Sequence, residues 1–186
     1  MISIQKPYQE TGLQKDFRKD YYSGLKGAYF FRILKTIIRL GALDRRAVRI
    51  LDFGCGTGHL AQLLAGKVIG YDILPELSEI PDWRTAQFDV VVANEVFYLF
   101  DARQLTQFLM ELRTVNPHVE LLVGISRQGL FNNVLKRLAG EPDAHTGTKL
   151  KPKEELELLT EQLEILDSAS IFQLCDVYYM RYKDRP

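Results

Sequence analysis

The chain of 186 residues carries 24 Lys or Arg residues against 24 Asp or Glu residues, and 46% of its residues are hydrophobic. This length and composition are typical of one globular domain, here residues 1–186, and they argue against a disordered or fibrous protein. Because the formal net charge is zero, no positive field attracts the chain to nucleic acid, and a nucleic-acid partner is disfavoured.

The N-terminal half predicts a helix followed by the strands of a parallel sheet. Apolar residues recur at helical spacing through residues 21–43, which predicts a helix capped by Gly41. Residues 59–65 (HLAQLLA) predict a second helix. Three short apolar runs predict buried strands: VRILDFG (48–54), KVIGYD (67–72) and FDVVVAN (88–94). Strands and helices in this order indicate a doubly wound parallel sheet.

The C-terminal half predicts further helices and an antiparallel end. Asp101 is expected to cap a helix to about Val115, residues 118–126 predict a strand, and residues 130–138 predict a helix. Pro152 marks the start of another helix, and the weakly alternating tail predicts two strands that turn near Ala169 or Ser170. The predicted fold is a three-layer α/β arrangement whose mostly parallel sheet ends in an antiparallel hairpin.

The cysteines and the lengths of the apolar runs indicate where in the cell the protein is expected. Cys55 and Cys175 form neither a metal-binding pair nor a disulfide framework, and the three histidines lack the spacing of a zinc site. The first 20 residues lack the apolar core of a signal peptide, and no apolar run approaches the roughly 20 residues of a membrane span. We therefore expect a cytoplasmic protein without a metal or a membrane span; the sequence indicates no oligomeric state.

A glycine-rich loop, GCGTG, links the first predicted strand to a helix. Gly54, Gly56 and Gly58 let the backbone approach a ligand closely, although such a turn by itself fits tight packing equally well. In dinucleotide enzymes the glycines follow the spacing G-x-G-x-x-G, whereas here the third glycine comes one residue early and is followed by His59. This spacing disfavours a nicotinamide dehydrogenase, and the lack of a following lysine disfavours a nucleotide-triphosphate loop.

These segments together resemble a known family. VRILDFGCGTGHLAQLL, the acidic residue Asp72 after the second strand and FDVVVANE resemble the motifs of class I S-adenosylmethionine-dependent methyltransferases. The resemblance implies a Rossmann-like fold, S-adenosylmethionine as cofactor and S-adenosylhomocysteine as product. It also implies that Asp72 accepts hydrogen bonds from both ribose hydroxyls, a role that suits a carboxylate. The residues implied to border the methionine part and the transferred methyl are Asp52, Gly54, Cys55, Gly56, Gly58, Asn94 and Glu95.

The chain departs from the family pattern between Asp72 and Phe88. Only ILPELSEIPDWRTAQ separates them, where the family usually has a helix, a third strand and an acidic residue that binds adenine. We therefore expect the third strand to be shortened or absent. Ile73 or Trp83 could cover the adenine ring, and Asp82 could bind its amino group, although Trp83 could equally seal the sheet edge.

The acceptor side carries no motif that identifies a substrate. Methyl transfer from a sulfonium needs mainly alignment and exclusion of water, so no catalytic residue is assigned. Glu95 and Tyr98 follow the third predicted strand, at the sheet edge where ligands bind. Tyr21, with Tyr22, is a lid candidate. His145 precedes a helix as a histidine does in small-molecule O-methyltransferases, although a histidine in such a segment is more often a solvated loop residue. ANEVFYLF lacks the Asn/Asp-Pro-Pro-Tyr form of enzymes that methylate nucleic-acid or glutamine amino groups.

The resemblance implies three parts within the single domain. We expect an N-terminal helical lid over residues 1–43, a cofactor-binding core over residues 48–126, and acceptor-pocket helices with a C-terminal hairpin over residues 127–186. The expected function is methyl transfer by direct in-line displacement to a small-molecule or lipid-like acceptor. The alternative is a non-catalytic S-adenosylmethionine-binding module that acts as a partner or sensor.

Overall fold

The computed structural model describes residues 24–127 and 148–184. Four helices and six strands are seen there. In chain order they are α1 (Gly24–Gly41), β1 (Ile50–Phe53), α2 (His59–Leu64), β2 (Val68–Tyr71), β3 (Val90–Asn94), α3 (Ala102–Val115), β4 (Glu120–Ser126), α4 (Pro152–Gln162), β5 (Leu163–Ile171) and β6 (Cys175–Tyr182). Short 3-10 turns also form over Trp83–Thr85 and Phe97–Leu99. The predicted helix at residues 130–138 lies outside the described residues.

The six strands form one sheet with the order β2-β1-β3-β4-β6-β5. Strands β1 to β4 run parallel, and β6 pairs antiparallel with both β4 and β5. Neighbouring residues of each inner strand face opposite sides, so Ile50 packs against α1 and α2, while Leu51 packs with α3 and α4. The predicted three-layer arrangement, with a parallel sheet and an antiparallel C-terminal end, is confirmed.

The described chain has no strand between β2 and β3, as the short connection predicted. Residues 77–80 cover the outer edge of β2 instead. The Ser78 hydroxyl accepts a hydrogen bond from the Asp72 amide (3.1 Å) and donates one to the Ile80 carbonyl (2.7 Å). The Glu79 amide donates to the Gly70 carbonyl (2.9 Å). These bonds satisfy backbone groups that a third strand would otherwise pair with, because an open sheet edge leaves such groups unpaired.

One predicted helix cap and one predicted turn differ in the structure. Helix α1 does end at Gly41, but the left-handed residue that follows it is Ala42, with φ of 48°. Gly41 is required for close packing, because a Cβ there would lie 2.5 Å from Leu122 Cδ1. The turn between β5 and β6 comes after Ile171, later than the predicted Ala169 or Ser170. The sequence pattern does not reveal this turn, because the residues that adopt positive φ are Phe172 and Gln173, whereas glycine or asparagine usually marks such a turn.

Other predicted features agree with the structure. Asp101 caps α3 in a capping box, in which its side chain accepts from the Gln104 amide and the Gln104 side chain accepts from the Asp101 amide. Pro152 occupies the first turn of α4. Among the helices of residues 24–127 and 148–184, none is long and apolar enough to cross a membrane.

Candidate functional site

The glycine loop lies at the carboxyl edge of the sheet, between β1 and α2. All three of its glycines have positive φ: 81° at Gly54, 51° at Gly56 and 74° at Gly58. This conformation is costly for residues with a Cβ. A Cβ at Gly54 would lie 2.5 Å from Val96 Cγ2, whereas one at Gly56 or Gly58 would meet no atom within 4 Å. Gly54 is therefore needed for packing, and Gly56 and Gly58 border open space that a ligand could occupy.

Asp72 follows β2 and ties the loop to it. Its Oδ2 accepts a hydrogen bond from the Gly56 amide (3.0 Å), and its Oδ1 accepts one from the Leu74 amide (3.0 Å). The Tyr71 carbonyl accepts from the Gly54 and Cys55 amides at 2.8 and 3.1 Å. A carboxylate oxygen has more than one acceptor position, so each Asp72 oxygen retains capacity for a hydroxyl donor. Asp72 thus holds the loop and still has room to bind a diol.

Asp52 lies under the loop, near the end of β1, and is only 7% exposed. Burial, with the negative charges of Asp72 and Glu79, raises the pKa of Asp52 from 3.8 to about 7. A buried carboxyl with this pKa is stabilised in its charged form by a cation. Burial also raises the pKa of the neighbouring Cys55 thiol to about 12, so this thiol stays protonated and unreactive near neutral pH.

The three residues considered for the adenine end differ in their exposure. Ile73, directly after Asp72, is 54% exposed and so presents an apolar surface beside the ribose position. Trp83 is 4% exposed and packs against Phe53, Phe88 and Phe108 in the core. Asp82 caps the 3-10 turn and pairs with Arg84. Of the two apolar candidates, only Ile73 is therefore available to a ligand ring, while Trp83 seals the core.

Asn94 and Glu95 lie at the end of β3, on the same edge as the loop. Asn94 Oδ1 is buried, with no hydrogen-bond partner within the described chain. Glu95 has a positive φ of 55°, and its amide donates to the Gly124 carbonyl (2.9 Å). Its Oε1 accepts a hydrogen bond from the Ser126 hydroxyl (2.9 Å), which fixes the carboxylate between the ends of β3 and β4. A positive φ in a non-glycine residue is a feature often found at functional sites.

Glu155, in the first turn of α4, is a buried acidic residue that the sequence analysis did not single out. Its side chain is buried, with 2% exposure. Burial, followed by the charge of Glu95, raises the pKa of Glu155 from 4.5 to about 8. The sequence did contain a signal of this burial. Glu155 stands four residues before the buried Leu159, on the apolar face of the predicted helix.

Tyr98 lies close to the start of α4. Its carbonyl accepts hydrogen bonds from the Lys149 amide (2.8 Å) and the Leu150 amide (3.3 Å). The segment before α4 is thereby tied to the turn that follows Glu95. The other acceptor-side candidates, Tyr21, Tyr22 and His145, lie outside the described residues.

A surface depression also occurs away from the glycine loop. A groove of about 430 Å³ runs between α1 and the turn from β5 to β6, with Arg32, Lys35 and Arg39 on one wall. It lies toward β5, at the opposite end of the sheet from β2. We place the candidate site at the glycine loop because the loop backbone, two carboxyl groups and the Asn94 amide oxygen lie there together. Among the described residues that line the groove, the charged side chains are all basic.

The site fits a cationic ligand that carries a diol. Its acceptors include the Asp72 carboxylate and the buried Asn94 oxygen, and the negative charges of Asp72 and Glu79 lie close enough to raise the pKa of Asp52. S-adenosylmethionine has these features, with ribose hydroxyls, an ammonium group and a sulfonium. In the part of the chain that the structure describes, no group of three His, Cys, Asp or Glu residues could hold a metal ion.

A family model described as a methyltransferase domain matches residues 26–162, which is most of the chain. No curated protein sequence matches. Among solved structures, the PH0226 protein from Pyrococcus horikoshii OT3 has a TM-score of 0.65 at 15% identity, over 89% of this chain and 95% of that one. The N-methyltransferase NodS from Bradyrhizobium japonicum WM9, in complex with S-adenosylhomocysteine, has a TM-score of 0.61 at 18% identity, over 92% and 97%.

The small RNA methyltransferase HEN1 has a TM-score of 0.58 at 14% identity, over 84% of this chain and 25% of that chain. At these identities the likenesses show a shared fold. The matched proteins differ in their acceptors, so the fold leaves the acceptor of this chain open.

Proposed function

Because the chain belongs to the methyltransferase domain family, we propose that it transfers the methyl group of S-adenosylmethionine to a small-molecule or lipid-like acceptor. The transfer is a direct in-line displacement within one domain over residues 1–186. The observation that carries the proposal is the hydrogen bond from the Gly56 amide to Asp72. It joins the two parts of the site that would bind the methionine and the ribose.

The residues of the site have separable roles in this proposal. The open side of the loop at Gly56 and Gly58 accommodates the methionine part, and Asp52 beneath it attracts the ammonium group. Asp72 accepts the ribose hydroxyls, and Ile73 covers the adenine ring. Asn94 and Glu95 border the reacting centre at the end of β3. When bound, the cofactor supplies an activated methyl group, so the protein has mainly to align the acceptor and exclude water.

The acceptor class and the location are supported by properties of the whole chain. The balanced charge offers no field for binding a polyanionic substrate. Both cysteines are free thiols, which fits the reducing cytoplasm that we propose as the location.

Substitution of Asp72 tests the proposed cofactor site. Asp72→Ala removes a charge-assisted acceptor for the ribose and also releases the Gly56 amide. Hydrogen bonds to charged groups contribute about 1.5–3 kcal/mol each, so we expect affinity for S-adenosylhomocysteine to fall by roughly 10- to 100-fold. Calorimetric titration of the wild type and the variant measures the change.

Asp167→Ala is the matched control, because Asp167 lies exposed on β5 at the far end of the sheet. It should bind S-adenosylhomocysteine as the wild type does. The proposal fails if the wild type binds neither S-adenosylmethionine nor its demethylated product, or if Asp72→Ala binds as tightly as Asp167→Ala.

A further inference from the structure

The turn between β5 and β6 presents an aromatic side chain to solvent. Phe172 is 71% exposed, more than any other large hydrophobic residue that the structure describes. Its φ is 51° and that of Gln173 is 57°, so two consecutive residues with a Cβ adopt a costly conformation. The Leu174 amide donates to the Ile171 carbonyl (2.9 Å), and the Leu174 carbonyl accepts from the Arg127 amide (2.7 Å). The fold therefore holds Phe172 away from the core at a cost in backbone strain, which is a feature of functional sites.

Three cations lie beside this turn. Arg32, Lys35 and Arg39 follow one another at intervals of three and four residues, so they lie on one face of α1. They line one wall of the groove of about 430 Å³, and Phe172 lines the other. Among the described residues, no carboxylate lines this groove, and none of the three cationic side chains forms an ion pair. Asp167, the acidic residue of β5 closest to the turn in sequence, is not among the lining residues. We call the three cations and Phe172 the basic-aromatic patch.

We propose that the basic-aromatic patch docks the protein on the surface of a membrane that carries anionic lipids, with Phe172 inserted between the headgroups. The cations are attracted to the negative headgroups, and the aromatic ring gains by leaving water. Both signals are needed, because a single weak anchor gives only marginal membrane binding. This inference goes beyond the proposed methyl transfer and can be measured without it.

The zero net charge of the chain is compatible with this docking. A long-range field depends on net charge, whereas a basic patch attracts lipid headgroups within a Debye length, about 10 Å at 0.1 M salt. Arg32 and Arg39 are seven residues apart, which is about 10 Å along a helix, so the three cations reach one small area of a bilayer. Nucleic acid favours many phosphate contacts along a longer basic track. A short group of cations beside an exposed ring therefore fits a lipid surface better.

The position of the turn relates the patch to the candidate site. Cys175, the first residue of β6, pairs with Ser126, the last residue of β4. The Ser126 hydroxyl donates in turn to Glu95 Oε1 (2.9 Å). The turn before β6 thus lies at the carboxyl edge of the sheet, where the glycine loop also lies. Docking through this turn brings that edge to the lipid surface, where a lipid-like acceptor resides.

Vesicle sedimentation with the full chain tests the docking. The vesicles contain phosphatidylcholine alone or equal amounts of phosphatidylcholine and phosphatidylserine. We expect binding to the mixed vesicles only, and weaker binding as salt is raised, because salt screens exposed charges. Each cation near an anionic surface contributes roughly fivefold to binding, so loss of all three should lower the affinity on the order of 100-fold. The variant that tests this combines Arg32→Gln, Lys35→Gln and Arg39→Gln.

A second triple variant is the matched control for charge. It removes the same net charge from exposed positions at the amino edge of the sheet, opposite to the turn, and should bind mixed vesicles as the wild type does. It combines Arg45→Gln, Arg181→Gln and Lys183→Gln. Because the changed side chains of both variants are exposed, both should unfold at the wild-type temperature.

Substitutions of Phe172 test the insertion. Phe172→Ala should weaken binding to mixed vesicles roughly tenfold or more, the effect of losing a buried aromatic side chain. Met110→Ala is its control, because Met110 is 55% exposed on α3, on the other side of the sheet, and it should bind as the wild type does. The chain has one tryptophan, the buried Trp83, so Phe172→Trp adds an exposed reporter. Its emission should shift to shorter wavelength on mixed vesicles; unchanged emission of the bound protein would overturn the insertion.

The remaining outcomes decide between occupants of the patch. No binding to mixed vesicles, equal binding to both kinds of vesicle, or an equal loss in the two triple variants would overturn the inference. Displacement of the vesicles by inorganic phosphate at matched ionic strength would assign the groove to a free anion. Displacement by an RNA oligonucleotide that binds through the same cations would assign it to nucleic acid. Either displacement overturns the membrane docking.

Binding of S-adenosylhomocysteine, measured in parallel, separates this inference from the proposed function. A chain that binds S-adenosylhomocysteine and no vesicle contradicts the docking and leaves the proposed function standing. A chain that binds mixed vesicles through the patch and no S-adenosylhomocysteine supports the docking and contradicts the proposed function.

Discussion

We predict that protonation of Asp52 couples binding at the proposed cofactor site to pH. Its pKa is raised to about 7 by burial and by the charges of Asp72 and Glu79. The positive ammonium group of the cofactor favours the ionised form, so binding must release a proton wherever free Asp52 is protonated. We therefore expect affinity for S-adenosylmethionine to rise with pH up to about 7 and to be level above it.

The size of the change in affinity with pH follows from the ionised fraction of Asp52. One pH unit below a pKa of about 7 only about a tenth of Asp52 is charged, so we expect roughly tenfold weaker binding of S-adenosylmethionine at about pH 6 than on the plateau. Calorimetry in two buffers of different ionisation enthalpy counts the released protons. Asp52→Asn should bind weakly and without this pH dependence; the same dependence in that variant would show that another group is responsible.

Individual residues of the candidate site were predictable from the sequence where they belong to a local motif. Asp72 and the loop glycines stand within one strand–loop–helix–strand segment, so their meeting follows from chain order. Glu155 was missed although its helical spacing from Leu159 indicated burial, because its closeness to the charge of Glu95 depends on how α4 packs over the sheet. The packing of Trp83 in an aromatic cluster with Phe53 and Phe108 likewise depends on α3.

At the scale of elements, the glycine loop combines backbone strain with open space. Gly58 has φ of 74° and Gly66, which lies before β2 and outside the loop, has φ of 81°. A Cβ at either position meets no atom within 4 Å. The two glycines are therefore matched in conformation and in space, and differ in their distance from the candidate cofactor.

Alanine substitutions at Gly58 and Gly66 distinguish the effect of backbone strain on stability from the effect of the added methyl group on ligand binding. We expect Gly58→Ala and Gly66→Ala to lose similar stability, about 1–2 kcal/mol each, because both adopt a left-handed conformation. Only Gly58→Ala should weaken binding of S-adenosylhomocysteine, since its methyl group enters the space beside the loop. Urea denaturation and calorimetry measure the two effects. Equal loss of binding in both variants would argue against a ligand at the loop.

Most elements were predictable because their signals are local. Strands β1 to β4 are short apolar runs, and α3 begins at a capping residue, Asp101. The C-terminal turn was misplaced because Phe172 and Gln173 adopt positive φ without the usual glycine or asparagine. The short connection before Phe88 correctly predicted the missing third strand, but the sequence could not show that Ser78 and Glu79 cover the edge of β2.

At the scale of the whole molecule, the strand order explains why the two halves of the site meet. Because β1, β3 and β4 are parallel neighbours, their carboxyl ends place the glycine loop, Glu95 and Ser126 along one edge. Helix α4 runs back antiparallel to these strands, so its first turn returns Glu155 to that same edge. The proposed cofactor side is thus built by consecutive segments, whereas Glu95 and Glu155 come from segments that are distant in the sequence.

A crystal structure of the chain with S-adenosylhomocysteine tests the central claim most directly. We predict that the homocysteine part contacts the loop at Gly56 and Gly58, that both ribose hydroxyls donate to Asp72, and that the sulfur faces Glu95. The product bound away from the loop, for example in the basic groove beside α1, or bound with its ribose out of reach of Asp72, would contradict this account.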